Sequence, residues 1–191
     1  LVNDMQFDEN GLKESLQQVI LPFWNCAYFY QSYAKIDGFV GNENILPKSE
    51  NKLDLWMLSK LYETEKKIKA SMDEYRVDEY VVPVTELIDG LTNWYIRRSR
   101  RRFWGNGMSE DKKNAYETLY YVLVNTAKLL APIAPIMYAR GFKSLPNSDS
   151  VHLESWQNIP QEYKNDQLLS EIDLVQDVIH LARGIRNKNN V

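Results

Sequence analysis

The sequence has one cysteine, Cys26, so no disulfide can close within it and nothing points to an oxidising compartment. Histidine is nearly as scarce. His152 and His180 stand with Cys26 at no metal-ligand spacing, and no zinc site is expected from them. His152 reads as a structural loop residue and His180 as a polar position on a helix. The glycines do not gather into a phosphate-cradling loop, and neither paired catalytic carboxylates nor a nucleophile elbow occurs. A long uninterrupted apolar run is missing too. The most apolar stretch, Tyr120 to Tyr138, contains Asn125, Lys128, Pro132 and Pro135, and reads as a buried helix ending in a kink rather than a membrane span. The opening Leu1-Val2-Asn3-Asp4 is neither a signal nor a transit peptide, so a cytoplasmic protein with no membrane partner is expected. The formal net charge of −3 argues against a non-specific nucleic-acid coat and confines any positive surface to a patch.

What is present is helical periodicity. Leu12, Leu16, Val19, Ile20, Phe23, Ala27, Tyr30 and Ala34 recur at three and four after a turn at Gly11, with Pro22 inside the run. Asn25, Phe29 and Tyr33 lie four apart on another face, the aromatics suited to a neighbouring helix. Residues 37–48 carry turn chemistry. A second helix is expected from an N-cap at Ser49, burying Leu53, Trp56, Met57, Leu61 and Ile68, with Glu63, Glu65, Lys66, Lys67 and Lys69 as a solvated face. A third spans 77–104, with Pro83 in its first turns and Tyr80, Val84, Leu87, Ile88, Leu91, Trp94 and Tyr95 inward, and stops at Gly105-Asn106-Gly107. A fourth opens at Ser109 and buries Tyr116, Leu119, Tyr120, Leu123, Ala127 and Leu130. A fifth, 168–186, has Leu169, Ile172, Val175, Val178, Ile179 and Ala182 inward. The fold class is therefore all-α, an antiparallel helix bundle of about five helices with short irregular N-terminal and 146–166 segments. Residues 1–10 read as the tail of an upstream segment and 11–191 as the bundle.

The most specific stretch closes the third helix. In Asn93-Trp94-Tyr95-Ile96-Arg97-Arg98-Ser99-Arg100-Arg101-Arg102-Phe103-Trp104, five arginines occupy six positions between aromatics. Guanidinium groups bind phosphate bidentately and stack on rings, and basic residues interleaved with aromatics suit single-stranded nucleic acid. Cations at a helix C-terminus also complement the macrodipole, and composition alone leaves both readings open. At about 100° per residue the arginines divide. Arg98 and Arg102 continue the buried stripe and are expected against neighbouring helices, paired to acids. Arg97, Arg101 and Trp104 form a separate stripe with Arg100 beside it, free to meet RNA.

Asn93 to Trp104 resembles the signature of the isoleucyl-tRNA synthetase family, class I aminoacyl-tRNA synthetases, in the helical domain that binds the anticodon stem-loop. Four further segments fall in that family's order: Leu21-Pro22-Phe23-Trp24-Asn25 with Tyr28-Phe29, Asp54-Leu55-Trp56-Met57-Leu58-Ser59-Lys60-Leu61, Leu129-Leu130-Ala131-Pro132-Ile133-Ala134-Pro135, and Ser150-Val151-His152-Leu153-Glu154-Ser155-Trp156. The chain departs from the family at Ala139 and Arg140, where acids are usual, and at Gln157, where proline is. The resemblance implies a parent isoleucine-tRNA ligase using ATP and magnesium. Its two ATP-binding signatures are absent here, so this chain is expected to hold no cofactor and not to catalyse aminoacylation by itself.

The implied partners are the anticodon stem-loop of isoleucine tRNA and the upstream catalytic and downstream C-terminal regions of the parent chain. In related methionyl enzymes a tryptophan closing the corresponding helix stacks on an anticodon base, and Trp104 resembles it by position. The expected RNA-binding residues are Arg97, Arg100, Arg101, Trp104 and Asn25, the last as a base-edge contact. The competing class is a protein-interaction bundle whose arginines dock an acidic partner.

Overall fold

The computed structural model describes residues 9–42, 44–134, 156 and 158–188. Helix α1 (Glu9–Ser15) passes through a π-helical segment (Leu16–Ile20) into α2 (Leu21–Asp37). Helix α3 (Lys52–Asp73) follows. Next comes a long rod built from a 3-10 turn (Val77–Tyr80), α4 (Val81–Asp89), a second π-helical segment (Gly90–Ile96) and α5 (Arg97–Trp104). Helix α6 (Glu110–Leu130), a 3-10 turn (Gln161–Tyr163) and α7 (Asp166–Lys188) complete the described chain. No strand occurs among the described residues, and no helix is long and apolar enough to cross a membrane.

Consecutive elements run antiparallel. Asp37 at the end of α2 meets Lys112 and Tyr116 at the start of α6, while Tyr30 packs on Tyr120 further along. Asp54 at the start of α3 meets Arg102 at the end of the rod. Helix α2 and the rod run parallel, since Phe29 and Tyr33 meet Phe103 and Trp104. The result is an up-down bundle with four helix termini gathered at one end.

The apolar stripes meet as the periodicity requires. Phe23, Ala27, Tyr30 and Ala34 of α2, Trp56, Met57, Leu61 and Ile68 of α3, Tyr80 through Tyr95 of the rod, and Tyr116 through Leu130 of α6 fill the centre. Leu53 is only partly buried, and so are Val19 and Ile20, whereas Leu16 is exposed. Leu12's side chain lies outside the described set. Phe39 stacks on Tyr116, bringing the connection after α2 back over the bundle. Gly41 there has no room for a side chain, because a Cβ would stand 2.5 Å from the Tyr120 ring.

Several local expectations are corrected. Gly11 lies inside α1, not in a turn. Pro22 lacks the N–H that would continue the ladder, and the chain accommodates it with the π-helical segment immediately before. The cap of α3 is Asn51, whose side chain accepts from the Leu53 N–H at 3.0 Å; Ser49 instead donates to Asp54. Glu65, expected in solvent, is buried and accepts from the Trp156 indole N–H at 3.0 Å. Helix α7 buries less than its pattern suggests. Leu168 is buried and Leu169, Ile172 and Ile179 pack partly, but Val175, Val178 and Ala182 are exposed. Its contacts are chiefly with α3, along one narrow edge, so the rest of its apolar stripe meets nothing among the described residues. Pro135, residues 139–155 including His152, and Gln157 lie outside the described residues.

The second π-helical segment resets the phase of α5. Thr92 donates its hydroxyl to the Ile88 and Asp89 carbonyls, at 2.8 and 3.1 Å, and so competes with the backbone ladder where the turn widens. The inward face then passes from Tyr95 to Ser99 and Phe103, all fully or nearly fully buried, rather than to Arg98. Arg98 is exposed, with its guanidinium 4.3 Å from the centre of the Trp94 ring. The expected burial of Arg98 is therefore overturned, and that of Arg102 holds.

Arg102 keeps only 11% of its side chain exposed and forms a fork on Asp54, with nitrogens 2.6 and 2.7 Å from the two carboxylate oxygens. Asp54 also accepts from Tyr95 at 2.8 Å and Ser49 at 2.6 Å. Arg102 reaches Asp111 as well, through Nε at 2.8 Å and the backbone carbonyl at 2.9 Å. Burial would lower the Arg102 pKa, but the hydrogen bonds to Asp54 and Asp111 and the charge of Asp54 raise it on balance. Beside this cluster, buried Lys112 spans Asp37 at 2.7 Å and the Gly105 carbonyl at 2.8 Å, and Tyr116 donates to Asp37. For Asp37, burial raises the pKa but the hydrogen bonds from Lys112 and Tyr116 and the Lys112 charge outweigh it, leaving it lowered.

Arg102→Ala is expected to cost about 3–5 kcal/mol by stranding a buried carboxylate. Arg98→Ala should cost only about 0.5–1 kcal/mol, the worth of an exposed cation–π contact. Denaturant melts of the two variants compare them directly. A carboxylate with a lowered folded pKa binds protons more readily unfolded, so Asp37 contributes stability above the ordinary carboxylate range. That contribution is lost as pH falls below about 4. Asp37→Asn should reduce stability at neutral pH and flatten the acid limb of the melting-temperature profile.

Candidate nucleic-acid interface

Helix α5 presents its charge outward because the phase shift turns Ser99 and Phe103 to the core. Arg97, Arg98, Arg100 and Arg101 are all exposed, and none forms an ion pair among the described residues. The fifth arginine of the run, Arg102, is consumed by Asp54 and Asp111. A chain with more acids than bases thus leaves four guanidinium groups without a carboxylate on two turns of helix. Their mutual repulsion is unrelieved until an anion arrives.

Trp104 closes α5 with 56% of its surface exposed. Its indole N–H donates to the Tyr33 hydroxyl at 2.7 Å. Tyr33 lies against Phe29 at 4.7 Å between ring centres, and Phe29 meets Phe103 edge-on at 5.2 Å. The exposed indole is thereby held by one edge on a packed aromatic column, which limits its motion without covering it. Gly105 leaves the helix in an extended conformation, and Gly107 takes the left-handed one (φ 72°) that the turn into α6 requires. Ser109 caps α6 by accepting from the Lys112 N–H at 3.2 Å, and Lys112 returns to the Gly105 carbonyl. The turn that carries Trp104 is fastened on both sides.

Of the five residues singled out in the sequence, Arg97, Arg101 and Trp104 share one side of α5 at spacings of four and three, with Arg100 adjacent. Asn25 is exposed on α2. It precedes Phe29 and Tyr33 by one and two turns on the same face. The parallel course of α2 and α5 sets it roughly one turn below the Phe29–Phe103 contact, near the level of Arg100. The geometry thus places all five on one flank. Sequence reasoning missed Trp24 and Tyr28, two exposed aromatics beside Asn25, and Arg98. The serine interrupting the arginine run was the available signal for Arg98, since a small residue in a basic run marks where the core comes closest. Among the described residues no group of histidine, cysteine, aspartate or glutamate could hold a metal ion. Burial pushes the Cys26 thiol up to about 12, and it is no nucleophile.

The chain matches the family described as anticodon-binding domain of tRNA ligase over residues 54–191. It is 34% identical, over 99% of its length, to an isoleucine–tRNA ligase of Protochlamydia amoebophila (strain UWE25). Against isoleucine–tRNA ligase 2 of Bacillus anthracis the identity is 37% over the whole chain, and against that of Pseudomonas fluorescens 32% over 98%. In each case the chain spans 18% of the relative's own length. An all-α bundle whose end bears an exposed tryptophan among unpaired arginines, matched over residues 54–191, belongs to the anticodon-binding domain family of tRNA ligases.

Proposed function

We propose that this chain binds the anticodon stem-loop of isoleucine tRNA, as the helical part of an isoleucine–tRNA ligase, in the cytosol. The observation that carries this reading is the arrangement at the end of the rod. Four arginines without carboxylates flank a half-open indole fixed by a hydrogen bond, while the fifth arginine secures the helices beneath. Guanidinium groups at 97, 100 and 101 suit the backbone phosphates, the Trp104 ring suits an unstacked base, and the Asn25 amide suits a base edge. The relatives' name supports isoleucine as the amino acid of the parent enzyme. Activation of that amino acid, with its ATP and magnesium, is assigned to parts of the parent ligase outside this chain, and no residue described above is proposed to hold either. Residues 11–191 are proposed to act as one RNA-docking unit.

Anisotropy titrations of a labelled isoleucine-anticodon stem-loop over a range of salt test the reading. Affinity should fall steeply with salt, and Arg97→Ala and Arg101→Ala should each lower the slope of log K against log salt by about 1. Their melting curves should stay within about 0.5 kcal/mol of the parent. Binding that ignores salt, or a preference for an acidic protein over the stem-loop, would overturn it.

Trp104→Ala should cost about 1–3 kcal/mol of RNA affinity without altering the salt slope, because no phosphate contact is lost. Trp104→Phe should recover most of that affinity by keeping an aromatic face, though it loses the bond to Tyr33. Unaltered RNA affinity together with a lower melting temperature in Trp104→Ala would make the ring a structural cover.

A further inference from the structure

Helix α7 crosses the rod at the second π-helical segment, and the two enclose a cleft of about 470 Å³. Trp94, Arg97 and Arg98 line one wall, and His180 and Arg183 the other. The walls come from helices more than eighty residues apart in sequence, so no local pattern announces the site. Arg98 is not loose there, since its guanidinium lies 4.3 Å from the centre of the Trp94 ring, and Trp94 itself is almost fully buried. A guanidinium resting on a ring keeps its in-plane N–H donors available for an anion. One carboxylate, Asp89, also lines the cleft. It is engaged by the Asn93 amide at 2.6 Å and bridges to none of the arginines. Arg97, Arg98 and Arg183 therefore face a single acid, with no ion pair among the described residues to offset their charge.

We propose that this cleft is a second RNA-contact site, taking a backbone phosphodiester of the strand whose loop reaches Trp104. The assignment rests on the function proposed above and extends it to residues on α7. Two features favour a phosphodiester over the carboxylates of an acidic peptide. Forked guanidinium donors from two directions suit a tetrahedral anion with several free oxygens. Arg97 also belongs both to the cleft and to the outward stripe of α5, so a strand running along that stripe enters the cleft without a break. Asp89 then acts as a brake, lowering the affinity that the three arginines would otherwise give.

The test uses the whole chain and a synthetic isoleucine-anticodon stem-loop, with Arg101→Ala as the reference variant. Arg183→Ala should weaken binding on the order of tenfold and lower the salt slope by about 1, with an unchanged melting curve. Arg183→Lys should restore the slope but only part of the affinity, because a point charge replaces a fork. Asp89→Asn should strengthen binding several-fold, an effect that loss of a merely structural residue does not produce. Ethylation interference should identify a phosphate whose modification blocks the parent protein but is indifferent to Arg183→Ala, distinct from the one made indifferent by Arg101→Ala. If Arg101→Ala weakens binding while Arg183→Ala and Asp89→Asn change nothing, the cleft is not a site and the Trp104 interface stands. If the parent protein does not bind the stem-loop, both readings fall. Displacement of the stem-loop by oligo-glutamate, lost in Arg183→Ala at equal charge concentration, would overturn the phosphodiester assignment.

Discussion

The fork between Arg102 and Asp54 is the constraint on which the end of the bundle depends. It joins the end of α5 to the start of α3, and through Asp111 it takes in the start of α6. Each partner sits where a helix terminus already favours it, the acids at N-termini and the cation at a C-terminus. The desolvation that opposes burying such a pair is offset because both carboxylate oxygens are used twice, once each by the fork and again by Tyr95 and Ser49. With that end fixed, Lys112 can anchor the turn after Trp104, and the indole can remain exposed without being mobile. Interior electrostatics and surface chemistry are thus divided within one run of arginines.

That division is set by backbone rather than by side-chain type. Along a regular α-helix the inward stripe of the rod would arrive at Arg98, as the spacing suggests. The widened turns around Gly90–Ile96 carry the stripe instead to Ser99, the one residue in the run small enough to meet the core. Arg98 is released to the surface and finds the Trp94 ring. Gly90 helps make this segment feasible, since a Cβ there would stand 3.0 Å from the Lys60 side chain.

The bundle was legible because apolar spacing of three and four reports burial directly, and Trp56, Leu87, Tyr95 and Tyr116 all lie where that spacing put them. Ser109 was readable as a cap because its chemistry is local. Asn51 was not separable from Ser49, as both are good caps and only the Ser49 bond to Asp54 gives the role to its neighbour. Glu65 looked solvated because nothing nearby in sequence shows Trp156 arriving over it. In the interface, exposure of Arg97, Arg101 and Trp104 followed from periodicity. The pairing of Arg98 with α7 could not, since it depends on a π-helical segment and on a crossing between distant helices. Helix α7 was over-read for a related reason: an amphipathic pattern states which face can be buried, not how much of it finds a partner.

The seven residues of the second π-helical segment also bear on how this surface can change over generations. Exchanging one side chain for another leaves the winding as it is, so substitutions can alter the strength of the basic flank but not its direction. Deleting a single residue from Gly90–Ile96 would restore regular winding and rotate everything after it. Ser99 would then turn to solvent, Arg98 would be driven toward the apolar centre, and Arg102 would swing away from Asp54. Insertions and deletions here are coupled to the loss of the buried ion pair, which makes the length of this short segment a stricter requirement than the identity of most residues within it.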